Sequence, residues 1–370
     1  MSLIIGENME NTEYVEEYEI KDYFELQDII QGRGDYIDLR EKCIFRGVSR
    51  KCYELIPSSL RGFNIAKYID ADYAPGIKLR KEDALALKLS VPEDMDDEGY
   101  EVYNLNKKYE FENGRELDDT FSLNQFKALQ ELFVINKFLD DADKEGLKVP
   151  IPQEIRRKIH SLELEIPYQW PGKEYYEIIS LAQHYDLPTR ALDWSYDFKV
   201  SLYFAVKNIL VDNNTECYEN NDGVLWAFNY RYFQGNFEID DDSFRLKFYR
   251  PEYYTNPNLS AQKGLFTFHI DSKWNCDERP VDELIINELE NHKSEEDGEH
   301  VYNIPGLMSF TIPENEKIFY KFVIPEDVKA DVLNQLYLEG YSEKSLFPGY
   351  KGVTRNIKNK AILDEILGRY

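Results

Sequence analysis

Six side chains able to hydrogen-bond or carry charge crowd into one stretch, Leu181 to Ala205: Gln183, His184, Thr189, Arg190, Asp193 and Trp194. A histidine close to a carboxylate can take a proton from water or from a hydroxyl nucleophile, so His184 and Asp193 are the candidate catalytic pair. A guanidinium fork, an amide, a hydroxyl and an indole N–H suit a phosphate or another polar ligand, and this makes Arg190, Gln183, Thr189 and Trp194 candidate contacts. Each also has a structural alternative. His184 can be a hydrogen-bonded core histidine at a helix C-terminus, Asp193 a turn brace bonded to Arg190 or to backbone amides, and Trp194 simple packing.

The elements that would position these groups follow from periodicity. Tyr175, Ile178, Ile179, Ala182 and Tyr185 recur at helical spacing, and Pro188 should end that helix. Phe198, Leu202, Ala205, Val206 and Ile209 restart the period after Asp197, which is placed to cap the new N-terminus. The spacing therefore predicts two helices joined by a short connection, Leu187 to Trp194, with a helix N-terminus close by.

Further candidates lie far off in the chain. In KCIFRGVSR, Ile44 and Arg46 should share one face of a strand and Cys43 and Phe45 the other, and Gly47 admits a close backbone or ligand. Arg46 is either a phosphate fork or the buried partner of a carboxylate such as Asp193. Arg61 ends the run YELIPSSLR, and Gln262 and Gly264 precede the strand-like Leu265 to Ile270; both Arg61 and Gln262 join the ligand-contact set. VLWAFN and the alternation from Lys317 to Ile324 read as strands, Val15 to Ile30 as a strand then a helix, and Pro325 to Gly340 and Ile357 to Leu367 as late helices. The expected fold class is α+β, a mixed or mostly antiparallel sheet packed with helices. Residues 15–63 and 170–370 would form its core, and the charged stretch 64–169 a largely helical insertion with helices at Glu82–Lys88 and Ser122–Leu139.

Composition narrows the function classes. The 370 residues carry a net charge of -26, which opposes general attraction to nucleic acid or anionic membranes while leaving room for a local phosphate site. No apolar run approaches the roughly 20 residues of a membrane helix. The cysteines, Cys43, Cys52, Cys217 and Cys276, lack metal-binding spacing, and a reduced, cytoplasmic protein without a metal is expected. No Walker or dinucleotide glycine loop is present, and no G-x-S-x-G elbow.

Five runs together resemble the FRG-domain family: FRG at Phe45–Gly47, PSSLR at Pro57–Arg61, AQHYDLPTRALDW at Ala182–Trp194, AQKGLF at Ala261–Phe266 and SLFPG at Ser345–Gly349. On this likeness the resemblance runs from about Tyr18 to Lys360. The aromatic-Arg-Gly strand end is also similar to the first motif of arginine-type ADP-ribosyltransferases, in which that arginine holds the phosphates of NAD; only Arg46 carries over. No Ser-Thr-Ser strand follows, and Gln262 with Gly264 stands where a paired-acid motif would be. The resemblances imply a cleft for a small nucleotide or other phosphate-bearing ligand, NAD among the cofactors to consider, with transferase-like activity one outcome. The competing expectations are a non-enzymatic module whose motif residues brace the core, and, less favoured, a phosphoester hydrolase using Asp193 and His184.

Overall fold

The structure is a computed structural model that describes residues 13–61, 77–79, 100–102, 123–149, 151–161, 169–210, 221–237, 246–253, 256–272, 278–296 and 298–369. Its centre is a seven-stranded sheet formed by β1 (Val15–Glu19), β2 (Ile44–Val48), β3 (Ala191–Ser195), β4 (Gly223–Phe228), β5 (Leu246–Tyr249), β6 (Gly264–His269) and β7 (Phe319–Ile324). The order is β1-β7-β4-β2-β3-β6-β5; β1 runs parallel to β7 and every other neighbouring pair is antiparallel. The class is α+β, and all five strand runs named from the sequence lie in this sheet.

The helices are α1 (Tyr23–Ile30), α2 (Leu123–Lys144), α3 (Gln153–Ser161), α4 (Tyr176–His184), α5 (Phe198–Val206), α6 (Pro257–Ala261), α7 (Val281–Asn291), α8 (Lys329–Leu338), α9 (Glu343–Leu346) and α10 (Tyr350–Ile366). Local chemistry fixes several ends. Asp22 caps α1 through the amides of Phe24 and Glu25, and Asp197 accepts from Lys199 at the start of α5, as its position suggested. Asn256 caps α6 with Pro257 at the first helical position. A short 3-10 turn, Glu326–Val328, comes between Pro325 and α8, and α2 and α10 each run further than their apolar periods implied. The helix expected at Glu82–Lys88 lies outside the described residues. Where 64–169 is described, it holds α2, α3 and a ladder pairing Ile77–Leu79 with Tyr100–Val102.

One expectation is overturned by the sheet. The connection read as Leu187 to Trp194 contains β3, an interior strand, so the central stretch is helix-strand-helix. Its alternation is masked because both faces are covered: Leu192 and Trp194 enter one core while Ala191 enters another.

Packing is unequal on the two sides of the sheet. One core is continuous across it, joining Ile44, Val48, Leu192, Trp194, Trp226, Phe228 and Leu265 to Val281, Ile285 and Leu289 of α7. The other side carries two separate cores. The first sets α1, α5 and α8 on Phe45, Leu225, Ala227 and Phe322; the second sets α2 and α4 on Ala191, Phe266 and Phe268. The gap between them falls where β2 meets β3. There the ladder has a single residue pair, Phe45 opposite Ser195, whereas β2 makes five pairs with β4 and β3 five with β6. The sheet is two leaves joined at one point, and the site lies along that seam.

Candidate functional site

A cleft opens between the two helical clusters, in two connected compartments of about 210 and 620 Å3. The inner one is walled by Phe45, Val200, Ser201 and Phe204 on the β2 side and by Gln183, His184, Leu259, Gln262 and Phe266 on the β3 side. The outer one takes in Ser49, Tyr53, Arg61, Asn208, Glu343 and Asn359. Arg46, Gly47, Asp186, Asp193, Phe204, Lys207, Phe347 and Arg355 line both.

Arg46 spans the seam. Its Nη1 donates to the Asp193 carbonyl oxygen at 2.7 Å and pairs with the Asp193 carboxylate at 2.6 Å. The Arg46 side chain is 12% exposed and that of Asp193 54%, so the pair is open to the cleft from the acid's side. Arg46 Nε is buried without a hydrogen-bond partner among the described residues. The removal of water from around Asp193 works against its charge, but Arg46, through its charge and its hydrogen bond, prevails and holds the carboxyl below the usual range. The pairing with Asp193 anticipated for Arg46 thus exists, but as part of the cleft wall.

Gly47 is required by the helix above it. A Cβ there would sit 1.8 Å from the Ser201 carbonyl oxygen, so α5 rests directly on β2 at this point. Ser201 Oγ reinforces the contact by donating to the Phe45 carbonyl at 2.8 Å. This close approach aligns Ser201, Phe204 and Lys207, spaced by three along the chain, toward the cleft.

His184 ends α4 and is half-buried, with no hydrogen bond from its imidazole to a described residue. Burial pushes its pKa down, against the pull of Asp193 and Asp186, so the ring is neutral near pH 7 and able to accept a proton. Gln183 reaches the cleft too, its amide oxygen held by Thr189 Oγ1 at 2.8 Å and Ser58 Oγ at 3.3 Å. Gln262 donates from Nε2 to the Leu346 carbonyl at 3.2 Å, and its own carbonyl accepts from Ser195 Oγ at 2.7 Å. Trp194 borders the inner compartment while its indole N–H is spent on Thr267. Arg61 donates through Nε to the Ile56 carbonyl at 2.8 Å; burial and the neighbouring Arg46 charge both push its pKa down.

Two residues expected as ligand contacts stand elsewhere. Arg190 is fully buried, its Nε 2.8 Å from both carboxylate oxygens of Glu131 on α2, and Trp170 donates to the same carboxylate at 2.8 Å. It locks α2 to the sheet and leaves the cleft untouched. Thr189 is buried as well, bonding Gln183 and the Ala191 amide, so it positions the cleft wall from behind. The physical reason is common to both: they precede β3 on the side covered by α2 and α4.

The cleft also contains groups the sequence reading missed. Lys207 has its ammonium 4.5 Å from the Phe204 ring centre and 6.0 Å from that of Phe347, and burial pushes its pKa down despite nearby Asp186, Glu343 and Asp193. Arg355 comes from α10 and is exposed. Neither makes an ion pair with a described residue. The spacing of Lys207 from Ser201 and Phe204 was a usable signal; Arg355 had none. Glu343 borders the outer compartment with its carboxylate occupied by Tyr203, Tyr337 and Asn359. Among the described residues no group of three or more metal-ligating side chains occurs, and no helix is long and apolar enough to cross a membrane.

What the fold and cleft define is an α+β domain with a cation-lined crevice between two sheet leaves. Residues 134–214 match the family model of the FRG domain, so the chain carries an FRG domain there. That span contains α4, β3 and α5, hence Gln183, His184, Asp193 and Lys207; Arg46, Arg61, Gln262 and Arg355 lie outside it and are brought to the same cleft by the fold. No curated protein and no solved structure matches the chain.

Proposed function

We propose that the cleft binds a phosphate-bearing nucleotide, and that NAD is the first such ligand to test. The observation that carries this reading is the outer compartment itself, where Arg46, Arg61, Lys207 and Arg355 converge in a chain of net charge -26. Cations brought together without enough acid to neutralise them are the arrangement an anion would stabilise. Asp186, Asp193 and Glu343 temper the site, and Glu343 is engaged by three donors. The inner compartment supplies Phe266, Leu259 and Trp194 for a ring and amide groups of Gln183 and Gln262 for its polar edge. His184, neutral near pH 7, is the group suited to accept a proton from a hydroxyl or water, and Asp193 the carboxylate that would stabilise the imidazolium formed.

The alternative, a module whose polar residues only brace the core, draws support from Arg190 and Thr189, both buried and bonded. It does not explain the cations at the cleft. Arg46→Ala distinguishes the two. Asp193 is half exposed, so losing Arg46 leaves it in contact with water and the melting temperature should change little. Calorimetric titration of the unmodified protein with NAD, AMP and inorganic phosphate should show binding that Arg46→Ala weakens by at least about tenfold. No binding by the unmodified protein, together with a sharp fall in melting temperature for Arg46→Ala, would overturn the proposal.

A further inference from the structure

Helix α10 turns two stripes to solvent, one on either side of exposed Thr354. Tyr350, Val353 and Ile357, at helical spacing, are 94%, 46% and 65% exposed. Lys351, Arg355 and Lys358, also at helical spacing, are exposed beside them, and none of the three makes an ion pair with a described residue. The helix is held from beneath, by Gly352, closely pressed on the Phe347 carbonyl, and by buried Leu363. An ordinary surface helix buries its apolar stripe. This one shows both its apolar and its basic stripe, in a chain with 70 acidic residues against 44 basic ones.

We propose that α10 docks an acidic segment of a partner protein that carries apolar side chains, alongside the mouth of the cleft where Arg355 stands. Charge decides the class of occupant. A nucleic acid or an anionic bilayer is an extended polyanion and meets the whole field of a chain with net charge -26. A short segment lying along one helix senses mainly charges within a Debye length, roughly 8–10 Å at moderate salt, and there the stripe is positive. Tyr350, Val353 and Ile357 then require apolar partners, which a protein segment supplies and a phosphate backbone does not. Arg355 is shared with the cleft, but Tyr350, Lys351, Val353, Ile357 and Lys358 line neither compartment, so the inference rests on these five and holds whether or not the cleft takes a nucleotide.

The probe is a fluorescein-labelled helical peptide with glutamates along one stripe and leucines along the next; its counterpart has lysine in place of glutamate. Anisotropy titrations of the full chain should show saturable binding of the glutamate peptide and none of the lysine peptide. The pair Lys351→Glu with Lys358→Glu, and separately Tyr350→Ser with Ile357→Ser, should each weaken it on the order of tenfold. Both pairs are exposed, so the melting temperature should stay unchanged. Four results would overturn the proposal: no binding of the glutamate peptide, binding indifferent to both variant pairs, a preference for phosphatidylserine vesicles or oligothymidine over the peptide, or self-association of the chain that Ile357→Ser abolishes.

Discussion

Arg46 and Arg190 are both paired to a carboxylate, yet their surroundings give them opposite roles. Arg190 and Glu131 are sealed together, where burial pushes the Glu131 carboxyl up and Arg190, Trp170 and Ser59 pull it back. Removing the acid would leave an enclosed guanidinium with its main counter-charge gone. Glu131→Ala should therefore cost about 3–5 kcal/mol, read as a lowered denaturant midpoint, with a much smaller loss in Arg46→Ala. The sequence made both arginines conspicuous but could not tell them apart. Burial depends on which helix covers which strand end, and the covering residue, Glu131, lies 59 positions from Arg190. Asp193, His184, Gln183, Gln262 and Arg46 could be named as a set because their motifs are local; Lys207, at the end of α5, was legible only by its spacing from Ser201 and Phe204, and Arg355 enters through packing of α10 that no local pattern encodes.

At the level of elements, strands with a local signal were the easiest to read, although their two faces also enter different cores: Phe319–Ile324 alternates around Lys321, and Gly223–Phe228 follows a clear turn signal. β3 was the hardest. It is short, carries Asp193 in its middle and has cores on both faces, so nothing in its composition distinguishes it from a loop. The contact of α5 with β2 was half legible, since Gly47 announced that something must come close, though not that it would be a helix backbone. Gly47→Ala tests that contact. The added methyl meets the Ser201 carbonyl, which cannot swing aside like a side chain, so α5 must lift from the sheet. A loss of about 3 kcal/mol, at the upper end for overpacking, is expected from urea denaturation, and the cleft wall formed by Ser201, Phe204 and Lys207 should be displaced with it.

For the molecule as a whole, stability near neutral pH bears the burden of a buried cation. Lys329 is fully buried and donates to the Ser49 carbonyl at 2.9 Å, to Asn208 Oδ1 at 3.0 Å and to the Asn221 carbonyl, tying the end of β2 to the approach to β4. Burial lowers its pKa from 10.5 to about 8, outweighing Glu326 and Asp222. Below pH 8 both folded and unfolded chains hold the proton and the full cost of the buried charge is present. Between about pH 8 and 10.5 the folded chain releases it first, the unfolded chain binds more protons, and this contribution to stability rises with pH. Buried tyrosines such as Tyr203, whose phenols burial pushes up, act in the opposite sense once unfolded tyrosines begin to ionise near pH 10. The denaturation midpoint should thus gain from Lys329 between about pH 8 and 10, and Lys329→Met should remove that gain. The seam between the two leaves has a consequence in time as well as in space. Arg46 and Asp193 are 147 residues apart in the chain, and β2 finds its only neighbours in β3 and β4. During synthesis β2 waits with both edges unpaired until the chain has reached Ser195, and for its long ladder until Phe228, exposing Ile44, Phe45 and Val48 to other unfinished chains. Closing so long a loop precedes any reward from the contact it makes, so the cleft is a late product of folding, and its arginine is made well before there is anything for it to hold.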